Sequence, residues 1–143
     1  MRAPGRNATG VSGISVASLE LLASAVSEVE GAIVEPVPAR KYVQGHLVAV
    51  RAAAAVLAAR ARPTTARGPR NVWSVLPGVA PELGEWAMFF AAGAGKQAAV
   101  EAGLEQVVTA READDLVRDA HNFLDLVVNY LSRESLKSAR IAG

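Results

Sequence analysis

Polar and apolar positions alternate with helical spacing over four stretches of this chain. From Ser15 to about Ile33, the residues Val16, Leu19, Leu22, Ala23, Val26, Val29 and Ile33 recur every three or four positions, with Glu20, Glu28 and Glu30 between them. That period predicts an amphipathic helix whose apolar set faces inward. Glu35-Pro36-Val37-Pro38 ends it, because proline pushes the residue before it out of the helical region. Pro38 suits the first turn of the next helix, where its missing N–H costs nothing. This second helix is expected from about Ala39 to Ala61. Between Leu47 and Ala59 it is apolar on every face except at Arg51, the pattern of a helix surrounded by others.

Residues 62–71 (RPTTARGPRN) read as a loop, followed by a short helical turn, Val72 to Leu76, before Pro77-Gly78. Pro81 can start a third long helix carrying Leu83, Trp86, Ala87, Phe89 and Phe90, with Gly103 as its stop. Thr109 and Glu112 have the spacing of a capping box at the head of a fourth helix. Ala113, Leu116, Val117, Ala120, Leu124, Val127 and Leu131 form one stripe along it, and Phe123, Leu126 and Tyr130 a second ridge. A helix with two apolar ridges packs between two partners, so Phe123, Leu126 and Tyr130 are the candidate interface of a homodimer. The expected fold class is all-α: an up-and-down bundle of four main helices plus a short accessory helical turn. Residues 14–132 form the bundle, 1–13 a flexible N-terminal tail and 133–143 a C-terminal tail.

Composition agrees with helices. The chain is 51% hydrophobic but only 5% aromatic, with alanine and valine supplying most of the apolar mass. It has no cysteine, which removes disulfides, thiolate metal sites and a cysteine nucleophile. Two histidines cannot build a His-rich metal centre, and no metal or cofactor is expected. The Leu47–Ala59 run falls short of the roughly 20 apolar residues of a membrane span, and the N-terminus lacks the pattern of an export signal. The expectation is a cytoplasmic protein.

Net charge is +1, unevenly spread. Residues 36–81 carry Arg40, Lys41, Arg51, Arg60, Arg62, Arg67 and Arg70 and no acid, whereas 82–125 are acidic. Either the two segments neutralise each other within one bundle, or the first binds nucleic acid. Arg60, Arg62, Arg67 and Arg70 would then be the phosphate contacts. Trp73 beside the loop would stack a base, or else pin the accessory turn over the core.

Three constellations bear on chemistry. Ala92-Gly93-Ala94-Gly95-Lys96-Gln97 lacks the first glycine and the Ser or Thr of a phosphate loop, and small residues at a helix contact explain it better. Asp114, Asp115, Asp119 and Asp125 suit a salt-bridged helix face, with Asp114 four residues before Arg118. Arg40 with His46, and Arg118 with His121, are candidate pairs for metal-independent RNA cleavage: an arginine to hold a phosphate and a histidine to move a proton.

Two stretches are more specific than generic helix. One is Arg40-Lys41-Tyr42-Val43-Gln44-Gly45-His46 with the alanine-rich run after it. The other comprises Val72-Trp73-Ser74-Val75-Leu76, Pro81-Glu82-Leu83-Gly84-Glu85-Trp86 through Ala94, and Ala110 to Leu116. Over about residues 15–132 the chain resembles a small actinobacterial family of HEPN (higher eukaryote and prokaryote nucleotide-binding) proteins. The resemblance implies an α-helical bundle, often dimeric, in a superfamily where many members are ribonucleases or RNA-binding parts of toxin–antitoxin and defence systems. Those nucleases carry an arginine followed four to six residues later by a histidine, late in the bundle. His121 comes only three after Arg118, and Arg40 and His46 lie on an earlier helix. The expected function is therefore non-catalytic binding of an RNA, a nucleotide or a protein partner in a bacterial stress or toxin–antitoxin-like setting. A ribonuclease with an atypical Arg/His pair, and a structural or regulatory homodimer, are the alternatives.

Overall fold

The computed structural model describes residues 14–60 and 72–142, and among them every regular element is helical. The N-terminal tail and the loop bearing Arg62, Arg67 and Arg70 lie outside the described residues. The protein is an all-α bundle. Its long members are α1 (Val16–Val34), α2 (Pro38–Ala59) and α6 (Ala110–Ala142), with the shorter α3 (Val72–Val79), α4 (Gly84–Ala92) and α5 (Ala94–Glu101) between the last two.

Ser15 caps α1 by accepting a hydrogen bond from the Ser18 N–H at 3.0 Å. The helix stops at Glu35 before Pro36, and Pro38 opens α2. The three-residue link makes α1 and α2 antiparallel, and the buried Ser18 hydroxyl donates to the Ala55 carbonyl near the far end at 2.9 Å. The inward face of α1 differs from the expected one. Ser18, Ala25, Val29 and Ala32 are buried, while Val16, Leu19, Val26 and Ile33 are exposed. Small residues win here because they bring α1 close to α2, where Ala55 is fully buried and its carbonyl accepts the Ser18 hydroxyl.

α2 is the central helix, packed on α1, α6, α3 and α5. By length and composition it could cross a membrane, but 56% of the relevant window is buried inside the protein, as in a core helix. It runs parallel to α6: Gly45 meets Val117 low in the pair, and Arg60 meets Tyr130 near the top. A Cβ on Gly45 would lie 3.0 Å from Val117 Cγ2, so this glycine sets the closest approach of the two helices.

The accessory turn is longer than expected, running through Pro77 to Val79. The third long helix is instead three pieces: a 3₁₀ turn over Pro81–Leu83, then α4 and α5, which meet at Gly93. Gly103, at φ +98°, does end α5. The Leu104 N–H reaches the Ala99 carbonyl at 3.0 Å and the Gly103 N–H that of Val100 at 2.9 Å, the Schellman closure that a left-handed residue allows. α6 begins with the reciprocal capping box: Thr109 N–H donates to Glu112 Oε1 and Glu112 N–H to Thr109 Oγ1, both at 3.0 Å. It does not end near 132 but continues to Ala142.

An aromatic cluster closes the core. Phe90 stacks with both Trp73, 5.2 Å away and inclined by 23°, and Trp86, 5.9 Å away and inclined by 21°. Phe123 of α6 completes the cluster at 5.2 Å from Phe90. This arrangement corrects two expectations. Trp73 is buried in the core and offers no face to a base. The Phe123, Leu126 and Tyr130 ridge is used within the chain: Phe123 and Tyr130 are buried and Leu126 is half-buried, with Phe123 against Trp73 of α3 and Trp86 and Phe90 of α4.

Candidate functional site

A groove of two adjoining recesses runs between α4–α5 and the first half of α6. The larger, about 390 Å³, is lined by Tyr42, Phe89, Gly93 and Lys96 on one side and by Glu112, Asp115, Arg118 and Asp119 on the other. The second, about 360 Å³, is lined by Glu85, Trp86, Phe89 and Asp119, so Phe89 and Asp119 belong to both. The break at Gly93 creates this groove. A Cβ there would lie 3.2 Å from the Tyr42 hydroxyl, and the glycine leaves that hydroxyl room. Tyr42 is buried, its hydroxyl has no hydrogen-bond partner among the described residues, and burial pushes its pKa above the ordinary value.

Ion pairs organise the charges around the groove. Lys96 meets Glu112 at 2.7 Å. That hydrogen bond, with the capping bond from Thr109, holds the Glu112 carboxyl below its usual range. Arg118 meets Asp115 at 2.9 Å and Asp119 at 3.8 Å. Lys41 pairs with Asp114 at 2.7 Å, so the partner of Arg118 is Asp115 and not Asp114 as the four-residue spacing suggested. Lys41 also donates to the Ile33 carbonyl at the end of α1.

The histidine pairs fare differently. Arg40 is exposed whereas His46 is buried against Trp73 and Phe90, which separates the first pair. Burial pushes the His46 pKa below its ordinary value, partly opposed by Glu101, and its Nδ1 has no partner among the described residues. Arg118 and His121 do come together, in a recess of about 300 Å³ shared with Lys41 and Asp114. There His121 Nε2 lies 3.9 Å from Asp125, so each of the three basic side chains of that recess has a carboxylate neighbour.

Among the candidate phosphate contacts, Arg60 lies within the described residues. Its guanidinium donates to the Tyr130 hydroxyl and pairs with Glu134, both at 3.2 Å, fastening the end of α2 to α6. Burial raises the Tyr130 pKa against the pull of Arg60.

The groove escaped the sequence because Glu112 reads as a cap and Lys96 as part of a degenerate phosphate loop. One further surface carried a signal that was visible in the spacing. Val16, Leu19, Ala23, Val26, Glu30 and Ile33 of α1 follow a 3-4-3-4-3 pattern, the seam of a coiled coil. All six are exposed, Leu19 at 53%, Val26 at 45% and Ile33 at 49%.

Compared with known proteins, the chain matches the sequence model of SAV_6107-like HEPN proteins over residues 32–128, from the last turn of α1 into the second half of α6. The chain belongs to the SAV_6107-like HEPN family. No curated protein and no solved structure matches it. In this HEPN domain the matched segment contains the whole groove and the aromatic cluster, while most of the α1 seam precedes it.

Proposed function

We propose that this HEPN domain is a non-catalytic binding module that works as a homodimer, assembled through α1. The observation that carries this is the exposed heptad seam. Burying it removes apolar surface that a lone chain leaves in water. Its 3-4-3-4-3 spacing reads the same in both directions. Antiparallel pairing about the point between Ala23 and Val26 therefore sets every seam position opposite another: Val16 opposite Ile33, Leu19 opposite Glu30, Ala23 opposite Val26. A two-fold contact needs such a self-complementary patch. Glu30 interrupts the apolar run, and Glu20 of one helix comes near Glu30 of the other, which keeps the association reversible. Light scattering on the pure protein should give twice the mass of one chain, and Leu19→Glu with Val26→Glu should give a monomer of unchanged helicity. A wild-type monomer at high concentration, or an undisturbed dimer in the variant, rules the seam out.

A second reading, metal-independent ribonuclease activity, is favoured by the shared recess of Arg118, His121 and Lys41. Its test is incubation with a mixed-sequence RNA pool in chelator, at about 50 and 200 mM salt. Cleavage that disappears in His121→Ala supports it, and absence of cleavage dismisses it. Salt-sensitive binding without cleavage would instead assign an RNA ligand to the module.

A further inference from the structure

The groove between α4 and α6 has two ends of different chemistry. At one end Trp86 and Phe89 stand nearly perpendicular, 85° apart with ring centroids at 6.3 Å, forming two walls of a corner. Phe89 is 48% exposed, an expensive position for a phenyl ring in water. Glu85 and Asp119 stand at the same corner. Glu85 has no ion-pair partner among the described residues, and the one cation near Asp119 is Arg118 at 3.8 Å, which is engaged more closely by Asp115. Aromatic faces carry negative quadrupole charge, so rings and carboxylates together select a cation and repel phosphate. At the other end lies the Tyr42 hydroxyl, on a side chain only 6% exposed and without a hydrogen-bond partner among the described residues. That hydroxyl borders the recess, and a ligand acceptor entering past Gly93 can take its hydrogen bond.

We propose that this groove binds an organic cation of the guanidinium class, with the cation in the Trp86–Phe89 corner and, where the ligand carries one, a hydrogen-bond acceptor at Tyr42. A guanidinium is favoured over a compact ammonium because it is planar, stacks on aromatic faces and meets a carboxylate with two N–H groups. Two sources offer it: a free guanidine, or an arginine side chain whose own backbone carbonyl would supply the acceptor.

The test is titration of the full-length ¹⁵N-labelled chain with three probes: agmatine, a blocked Ala-Arg-Ala peptide, and the same peptide with citrulline in place of arginine. The two tryptophans give two indole N–H signals, and Trp86→Phe assigns them. Saturable movement of the Trp86 signal is expected in the millimolar range with agmatine or the arginine peptide, with Trp73 unmoved and citrulline inert. Glu85→Gln with Asp119→Asn should weaken that binding about tenfold or more, the loss expected when a charge-assisted pair is removed. Phe89→Leu should weaken it without disturbing the fold. Tighter binding of the peptide, lost in Tyr42→Phe, assigns the groove to a partner's arginine. Tighter binding of agmatine assigns it to a free guanidine. An equal response to citrulline, or no saturable movement of Trp86, overturns the proposal.

Discussion

Substituting Gly45 tests how closely α2 and α6 approach, and two opposing effects decide the outcome. Alanine in place of glycine inside a helix is worth about 1 kcal/mol in helix propensity. Against that, the added Cβ would lie 3.0 Å from Val117 Cγ2, tighter than nine in ten real Cβ contacts, so Val117 would have to give by a few tenths of an ångström. Val117 is buried, and its branched side chain has one strongly preferred rotamer in a helix, so it cannot simply turn away. Overpacking of this kind costs about 1–3 kcal/mol. Taking the middle of that range, Gly45→Ala should destabilise the protein by about 1 kcal/mol. The other atoms near the added Cβ, Val117 Cα at 3.4 Å and N at 3.5 Å, are in ordinary contact. In a Val117→Ala background the clash is therefore gone, and Gly45→Ala should stabilise by about 1 kcal/mol. The coupling between the two sites is then about 2 kcal/mol, read from urea unfolding of the four proteins by far-UV circular dichroism. If Gly45→Ala shifts stability by the same amount in both backgrounds, the helices are not in contact there.

Two further outcomes follow from the titrating groups. The folded-state pKa of His46 lies below its ordinary value of 6.5, so below pH 6.5 the unfolded chain binds a proton that the folded protein refuses. Stability should fall as pH drops from 6.5 toward the folded pKa, by up to about 1.4 kcal/mol per pH unit, and His46→Phe should remove that slope. Urea midpoints at several pH values above the carboxylate range check this, and an unchanged slope in the variant would place the titration elsewhere. Lys96→Ala should raise the Glu112 pKa toward the usual carboxylate value, because the hydrogen bond from Lys96 is the largest cause of its depression. Carbon-detected NMR titration of the Glu112 side chain reads that shift, and a Glu112 pKa that does not move would mean the ion pair is not formed in solution.

The parts of the fold that were legible in the sequence are those set by local chemistry. The two prolines between α1 and α2, the Thr109–Glu112 capping box and the stop at Gly103 each act over a few residues, and each falls where expected. Choices between surfaces were less legible, because they depend on what covers them. Hydrophobicity alone favours Leu19, Val26 and Ile33 as the inner face of α1, yet the small residues Ser18, Ala25 and Ala32 pack closer to an alanine-rich neighbour. The Phe123–Tyr130 ridge was visible as apolar, but its partner depended on α3 and α4 folding back over α6. The break at Gly93 has no local breaker stronger than glycine, and what makes a glycine fit there, the nearby hydroxyl of Tyr42 on α2, is remote in the chain. The groove inherits that difficulty, since its lining comes from four helices.

The stack of Trp73, Phe90 and Trp86 also determines what light can report about this protein. Both tryptophans of the chain lie against one phenyl ring, within 6 Å of its centre. Tryptophan fluorescence and the tryptophan bands of near-UV dichroism therefore sample a single locus, the closure of α3 and α4 over α6. α1 has no aromatic residue, so its fraying or detachment leaves those signals dark and lowers far-UV ellipticity alone. Unfolding curves recorded by the two kinds of probe will coincide only if α1 leaves together with the aromatic stack.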